Sequence, residues 1–401
     1  MKLLVFAHTP PPHHGQSYMV KLMLDGFGGD VRHRPPGPPS GLGIECYHVN
    51  ARFSQDLTDV GEFQGTKIFL IFWFCLQAIW IRFRHDVSYF YYVPAPGKAV
   101  ALYRDWMIMW ICRPFFKRMT LHWHAAGLAK WLETSTNITV RAATYRLFRP
   151  VNLSIVLSRY NFADAEKLLS RHIRVVDNGI PDPCPDFDEK IARVRQRSFD
   201  RRRKIFGGEV TSERLIVNVL FLAHCTREKG IFAAAEAVVL ANRELAARHL
   251  PLKLRLLAAG NFINDDEKIE FDRFCQGPEA ATAVAYLGFV SGQQKDQLLQ
   301  DADLFLFPTR YHGENQPVNL IEAMAFGLPI ITTRWRSLPE MLPLDYSGLV
   351  QDQNSTEIAA MLLKVLTNES GERLRQTFLA RFALEQHLSS LAAALRIMEA
   401  N

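Results

Sequence analysis

Glu314 and Glu322, with seven residues between them, stand in the stretch from Asp303 to Thr333, DLFLFPTRYHGENQPVNLIEAMAFGLPIITT. The stretch reads as a buried strand (Leu304 to Phe307), a polar loop carrying Glu314, a short helix carrying Glu322, and a second buried strand. Pro317 suits the first turn of that helix, where a missing N–H costs nothing, and Gly327 suits the position just past its end, with Pro329 following. Backbone N–H groups from about Gln316 to Leu320 then point back at the loop, with the positive end of the helix dipole behind them, and such an end favours a phosphate. Carboxylates beside it would be repelled by that phosphate, so they should face uncharged, hydroxyl-bearing groups attached to it. A diphosphate with a sugar on either side meets both demands.

Three further segments carry groups able to do chemistry. His224-Cys-Thr-Arg-Glu-Lys-Gly230 follows a strand and precedes an Ala-rich helix, Ile231 to Ala247. Cations placed so can grip a diphosphate, with Lys229 as a point charge and Arg227 as a candidate second cation. His124 ends a strand in Leu-His-Trp-His-Ala-Ala-Gly127, and an imidazole there can donate to a sugar hydroxyl or share a proton near neutral pH. His122, one alternation back, belongs inside the sheet. The loop Pro10-Pro-Pro-His-His-Gly-Gln16 offers Gly15, which lets a ligand approach the backbone, and His13 and His14 as acceptor contacts.

Taken in order, these segments resemble retaining family 4 glycosyltransferases, whose fold is GT-B. The resemblance covers most of the second half of the chain and scattered points of the first, including the turn Asn178-Gly179-Ile180. It implies that Glu314 and the amides after it hold the transferred sugar, and that Glu322 holds the ribose hydroxyls. The donor site so implied comprises Gly15, Arg227, Lys229, Glu314, Asn315, Gln316, Pro317, Val318 and Glu322, with His124, Glu314 and Lys229 as the catalytic set. Two departures stand out: Asn315-Gln316-Pro317 replaces the usual Gly-Phe-Gly, and His224 occupies the usual arginine position. The resemblance implies no divalent metal, so neither metal nor cofactor is expected.

The elements that must position these groups come from apolar runs. Further strand candidates are Lys2–Ala7, Ile44–Val49, Val87–Val93, Met119–Trp123, Leu153–Leu157 and Ile173–Val176, then Leu215–Leu222, Leu252–Ala258, Val284–Leu287 and Gly348–Val350. Such runs between helical patterns imply parallel sheets covered on both faces. The expected class is therefore α/β, a GT-B fold of two Rossmann-like domains facing each other across a cleft. Boundaries are expected at 1–178, a linker 179–212, a donor domain 213–378, and a last helix in 379–401 that the resemblance returns to the first domain. Pro35–Gly43 reads as a loop, and Arg193–Lys204, with seven cations and no aromatic platform, as a solvated linker helix rather than a nucleic-acid patch.

Composition narrows the partners. With 48% apolar and 22% charged residues the chain can bury a substantial core, and its six scattered cysteines include no Cys-x-x-Cys pair and suit a reducing cytosol. The amino terminus does not read as a signal peptide. Ile68–Ile81 is apolar apart from Gln77, but fourteen residues make a helix of about 21 Å, shorter than a bilayer core. That stretch and Trp106–Lys117 are aromatic and flanked by cations on a chain of net charge +6. Two readings stay open for them: core helices apolar on all sides, or docking to an anionic membrane face. The function implied is a retaining, metal-independent glycosyltransferase passing a sugar from a nucleotide-diphosphate sugar to a glycan or lipid-linked acceptor in bacterial cell-surface polysaccharide assembly. Its expected place is cytoplasmic or peripheral on the inner membrane face. A catalytically silent nucleotide-sugar-binding subunit and a nucleotide-sugar epimerase of the same fold are the alternatives.

Overall fold

The computed structural model describes residues 1–11, 15–34, 41–53, 65–95, 97–209 and 214–399. His13 and His14, most of the Pro35–Gly43 loop and residues 210–212 of the expected linker lie outside them. The chain forms two compact units, Met1–Ile180 with Leu384–Asn401, and Pro181–Ala383.

The first unit is a six-stranded sheet of β1 (Lys2–Ala7), β2 (Glu45–Asn50), β3 (Tyr89–Tyr92), β4 (Arg118–Trp123), β5 (Val151–Val156) and β6 (Ser170–Val175). Its strands run parallel in the order β2-β1-β3-β4-β5-β6. Side chains of β1 alternate between the two faces. Leu4 and Phe6 enter a core with the helices Gly65–Arg84 and Ala99–Cys112, whereas Leu3, Val5 and Ala7 enter another with the helix Gly15–Gly26. This second core is closed by the last helix, Leu384–Arg396, through Leu388, Leu391 and Leu395. A strand apolar on both faces is stable only when both are covered, which is why β1 reads as an unbroken apolar run.

The second unit repeats the plan with β7 (Leu215–Leu222), β8 (Leu252–Ala259), β9 (Val284–Gly288), β10 (Leu304–Phe307), β11 (Ile330–Thr333) and β12 (Leu349–Val350). These run parallel in the order β12-β11-β10-β7-β8-β9. Counted within the unit, that is the doubly wound order whose direction reverses between its first and fourth strands, β7 and β10. All twelve strands expected from the apolar runs are present, shifted by at most three residues at their ends.

The cation-rich segment differs from its reading as a solvated helix. The helix Arg193–Phe206 packs within the second unit. Arg195 donates to the carbonyls of Leu299 (2.9 Å), Ala302 (2.7 Å) and Phe326 (2.7 Å), and Arg202 donates to Leu366 (3.2 Å) and Asp303 (3.1 Å). The first three carbonyls lie at the C-terminal ends of the helices Gly292–Asp301 and Val318–Ala325, where the last turns lack internal donors. Arginine serves there because one planar group satisfies several carbonyls at once.

A second arginine locks the start of this unit. Arg375 is buried and bonds Asp182 through both terminal nitrogens (2.8 and 2.6 Å), and also donates to the carbonyls of Ala325 and Cys184. Burial, the largest influence, raises the Asp182 carboxyl, but the Arg375 hydrogen bonds, the Cys184 N–H and the Arg375 charge together hold it below its ordinary value. Stability from this pair is therefore present above the unfolded carboxyl value and lost as pH falls through the lowered one. Arg375→Ala should destabilise the fold by about 3–5 kcal/mol, since it strands a half-buried carboxylate. Urea unfolding measures this directly, and a loss under ~1 kcal/mol would refute a structural role for the pair.

Candidate functional site

Strand order, rather than chain order, assembles the site. β7 and β10 are neighbours, so the loops leaving their carboxyl ends meet, although 85 residues separate Lys229 from Glu314. Arg310 N–H donates to the Glu228 carbonyl (2.7 Å), and the Gln353 amide donates to the carbonyls of Glu228 (2.9 Å) and Pro308 (2.8 Å). Gly230 makes the contact possible. It holds φ +91°, and a β-carbon there would stand 2.4 Å from the Pro308 carbonyl oxygen. A side chain at that point would push the two loops apart.

Within this junction the Lys229 ammonium lies 2.6 Å from Glu314 Oε2, and the Thr309 hydroxyl donates to the same oxygen at 3.0 Å. The Tyr311 ring lies 4.5 Å from the ammonium, close enough to help hold the cation. Glu314, Asn315 and Gln316 are all buried. The Asn315 carbonyl accepts from the Ser337 hydroxyl, and the Tyr311 carbonyl from Trp335 Nε1 at 2.9 Å, so both ends of the loop are tied to the segment after β11. A partly buried ammonium held against a buried carboxylate is a preorganised positive charge that an incoming anion can meet with little solvent reorganisation.

His224 also faces Lys229. Burial and then the Lys229 charge lower its imidazole below its ordinary value, so it stands neutral near pH 7. Arg227 is not brought into the cluster. Its guanidinium is exposed, pairs with Glu270 at 2.6 Å and lies over the Phe232 ring at 4.2 Å.

The helix after the loop runs Val318–Ala325, and Pro317 is its N-cap, with extended backbone, rather than a residue of its first turn. Leu320 N–H already bonds the Pro317 carbonyl (3.2 Å), so the amides facing the loop narrow from Gln316–Leu320 to those ahead of Leu320. At the other end Leu328 N–H bonds the Ala323 carbonyl (3.0 Å) and Gly327 N–H the Met324 carbonyl (2.9 Å), with Gly327 at φ +58°. This Schellman pair stops the helix where Gly327 and Pro329 suggested. The Asn319 amide donates to the Leu222 carbonyl at 2.6 Å, pinning the helix to the end of β7.

Glu322 lies on this helix and pairs with Lys295 of the helix Gly292–Asp301. Burial raises its carboxyl above the ordinary value, and Lys295 opposes that rise. Lys295, Thr309 and Tyr311 were not found by sequence reading. Of the three, only Tyr311 carried a signal, as an aromatic in the loop.

The first unit holds the other candidates. His124 follows β4, and the ring of the buried His122 lies 4.2 Å from it. His122, inside the sheet as its alternation required, bonds the Tyr91 hydroxyl. The chain after His124 is held by Asp164, which accepts from the N–H groups of Gly127 (2.9 Å) and Ala129 (2.7 Å). Gly15 opens the helix Gly15–Gly26, beyond the carboxyl end of β1.

Residues 212–380 match the family model described as Glycosyl transferases group 1. That match lies within the second unit. The chain is 27% identical over 223 residues to the putative colanic acid biosynthesis glycosyltransferase WcaL of Salmonella typhimurium, covering 52% of each chain. It is also 27% identical over 159 residues to the amylovoran biosynthesis glycosyltransferase AmsK of Erwinia amylovora, covering 38% of this chain and 37% of that one. It thus spans about half the length, or less, of these curated relatives. The crystal structure of Anabaena HepE in complex with UDP superposes with TM-score 0.64 at 16% identity, covering 99% of this chain and all of that one, and shows the fold to be GT-B.

Proposed function

We propose that this chain is a retaining glycosyltransferase that moves a sugar from a nucleotide-diphosphate sugar to a glycan or lipid-linked acceptor in cell-surface polysaccharide assembly. The observation that carries this reading is the Lys229–Glu314 contact at the β7/β10 reversal point, with Glu322 on the helix that follows. The relatives named for colanic acid and amylovoran biosynthesis support the polysaccharide setting, and the UDP complex of HepE supports the donor class.

In this reading the diphosphate meets the Lys229 ammonium and the amides of Val318 and Asn319. Glu314 and the backbone of Asn315 and Gln316 face the transferred sugar, and Glu322 accepts from the ribose hydroxyls. The acceptor oxygen attacks on the face from which the diphosphate leaves. A bond forms between that oxygen and the anomeric carbon while the bond to the phosphate oxygen breaks, and the acceptor proton passes to the departing phosphate. Lys229 and the helix end stabilise the charge that develops on the leaving group, so the step needs no metal. Transfer takes place on the cytoplasmic side, in peripheral contact with an anionic membrane.

His124, in the same reading, orients the donor sugar. His124→Ala should lower kcat by about 10²–10⁴, the range for a positioned acid–base group, with little change in nucleotide affinity. Steady-state kinetics on the two variants His124→Ala and His124→Gln checks this, and unchanged kcat in both would remove His124 from the site.

Thermal shift with UDP, GDP, ADP and their sugar conjugates tests the donor reading. A ligand that binds only the folded state stabilises it by about 2.7 kcal/mol at a hundredfold excess over Kd. Stabilisation by one nucleotide series supports the reading and names the base, whereas a flat response to all of them refutes it. The neutral His224 favours one second reading, a silent subunit that binds donor without turning it over. Product formation with acceptor present separates the two.

A further inference from the structure

The helix Gly65–Arg84 is amphipathic in an inverted sense. Ile71, Cys75, Ala78 and Ile81 point into the core of the first unit. Phe69, Phe72, Trp73, Leu76, Trp80 and Phe83 are exposed, from 44% for Phe72 to 73% for Phe69. At 3.6 residues per turn those six fall in one stripe about 100° wide and about 21 Å long, opposite the buried face. At its far end the Phe83 ring meets Phe115, itself exposed, at 5.9 Å, so the apolar surface continues onto the turn Arg113–Phe115. Trp110, on the packed neighbouring helix Ala99–Cys112, is exposed as well.

Six large apolar side chains in one open stripe exceed what isolated surface residues explain, and a stripe of this kind marks an interaction surface. Its charge selects the occupant. The helix sequence holds Lys67, Arg82 and Arg84 and no carboxylate. Arg84 and Lys117 are exposed beside the Phe83–Phe115 end, and Arg82 is anchored there by the Phe115 carbonyl (2.9 Å) and Asp86 (3.1 Å). Tryptophan and phenylalanine beside lysine and arginine suit the headgroup boundary of an anionic bilayer, with rings among the upper acyl chains and cations at the phosphates. No helix among the described residues is long and apolar enough to cross a membrane, so the stripe lies in the interface rather than through it.

We infer that the outer face of the helix Gly65–Arg84, extended by Phe115 and Trp110, is a monotopic docking surface that seats the first unit on an anionic lipid bilayer. The inference names the surface for the membrane contact of the proposed function, and rests on that reading only for which side of the membrane is met.

Flotation of the full chain with vesicles of phosphatidylglycerol and phosphatidylcholine, against phosphatidylcholine alone, tests it without donor or acceptor. The wild type should float with the anionic vesicles and be partly released by salt. Trp73→Ser with Trp80→Ser should weaken partitioning about tenfold or more, through lost apolar burial. Arg84→Glu with Lys117→Glu should abolish the preference for anionic lipid. Both pairs are exposed, so the response to UDP should persist in the variants. That response is measured separately and shows whether the donor reading holds when docking fails, or the reverse. Should the serine variant not fold, quenching of wild-type tryptophan fluorescence by brominated lipid decides instead. Wild type that stays unbound, variants that float equally, or a solution dimer dissociated by the serine pair (a second copy on the stripe) would each overturn the inference.

Discussion

Lys229→Ala should abolish stabilisation by nucleoside diphosphates and lower kcat by about 10²–10³, the cost of removing one preorganised donor to a charge that develops in the transition state. The ammonium is the cation held against Glu314 at the β7/β10 junction, whereas Arg227 is engaged by Glu270, Arg310 by Asp352, and His224 is neutral. The same substitution has a second, separable effect. Glu314 is only 6% exposed, and without Lys229 its carboxylate keeps the Thr309 hydroxyl alone on Oε2, so the fold should lose up to about 3–5 kcal/mol. Adding Glu314→Ala should recover much of that stability, because the stranded buried carboxylate is then gone too, but none of the turnover. Thermal shift and steady-state rates on the single and double variants resolve the two effects. A Lys229→Ala protein that still responds to UDP, GDP or ADP as the wild type does would place the phosphates elsewhere.

Glu322→Ala should weaken donor binding by about 10–150-fold, the loss of a charged hydrogen bond worth ~1.5–3 kcal/mol, while leaving the turnover of bound donor largely intact. A pH signature accompanies it. Burial raises the Glu322 carboxyl above the ordinary range, and Lys295 restrains the rise. Donor affinity should therefore fall on the acid side, as pH drops through that raised value, at a higher pH than an exposed carboxylate would impose. Lys295→Met removes the restraint, so the acid limb should move further upward. The stability effect has the opposite sign to that of Asp182. A raised folded value means that the native state holds the proton more tightly than the unfolded chain, so this group's contribution declines as pH rises from the unfolded value through the folded one. Donor titrations across pH on wild type and Lys295→Met measure the shift, and an unchanged acid limb in the variant would break the assigned coupling.

Much of this was legible in the residues. The strands are short apolar runs closed by polar turns, and a strand buried on both faces needs no distant information to be recognised. The helix carrying Glu322 was bracketed by Pro317 and Gly327, whose backbone restrictions act locally, although Pro317 caps the helix instead of entering it. The cation-rich helix was misread because composition describes the average residue. Arg195 is held by the carbonyls of two other helices, and nothing in RVRQRSFDRRRK announces them. The apolar helix Gly65–Arg84 was ambiguous for the same reason, since hydrophobicity on every face does not say which faces will find partners.

The sequence by itself determined where the strands run, to within three residues, and which side chains could do chemistry, because these follow from side-chain size, backbone restriction and periodicity over a few residues. Tertiary structure alone decided which groups meet. Lys229 and Glu314 are neighbours because β10 pairs with β7, Glu322 and Lys295 because two helices pack on one sheet, and the Phe69–Phe83 stripe stays bare because the core had already closed against the opposite face. Strand order and packing minimise the exposure of the whole chain at once, and no local window contains that sum.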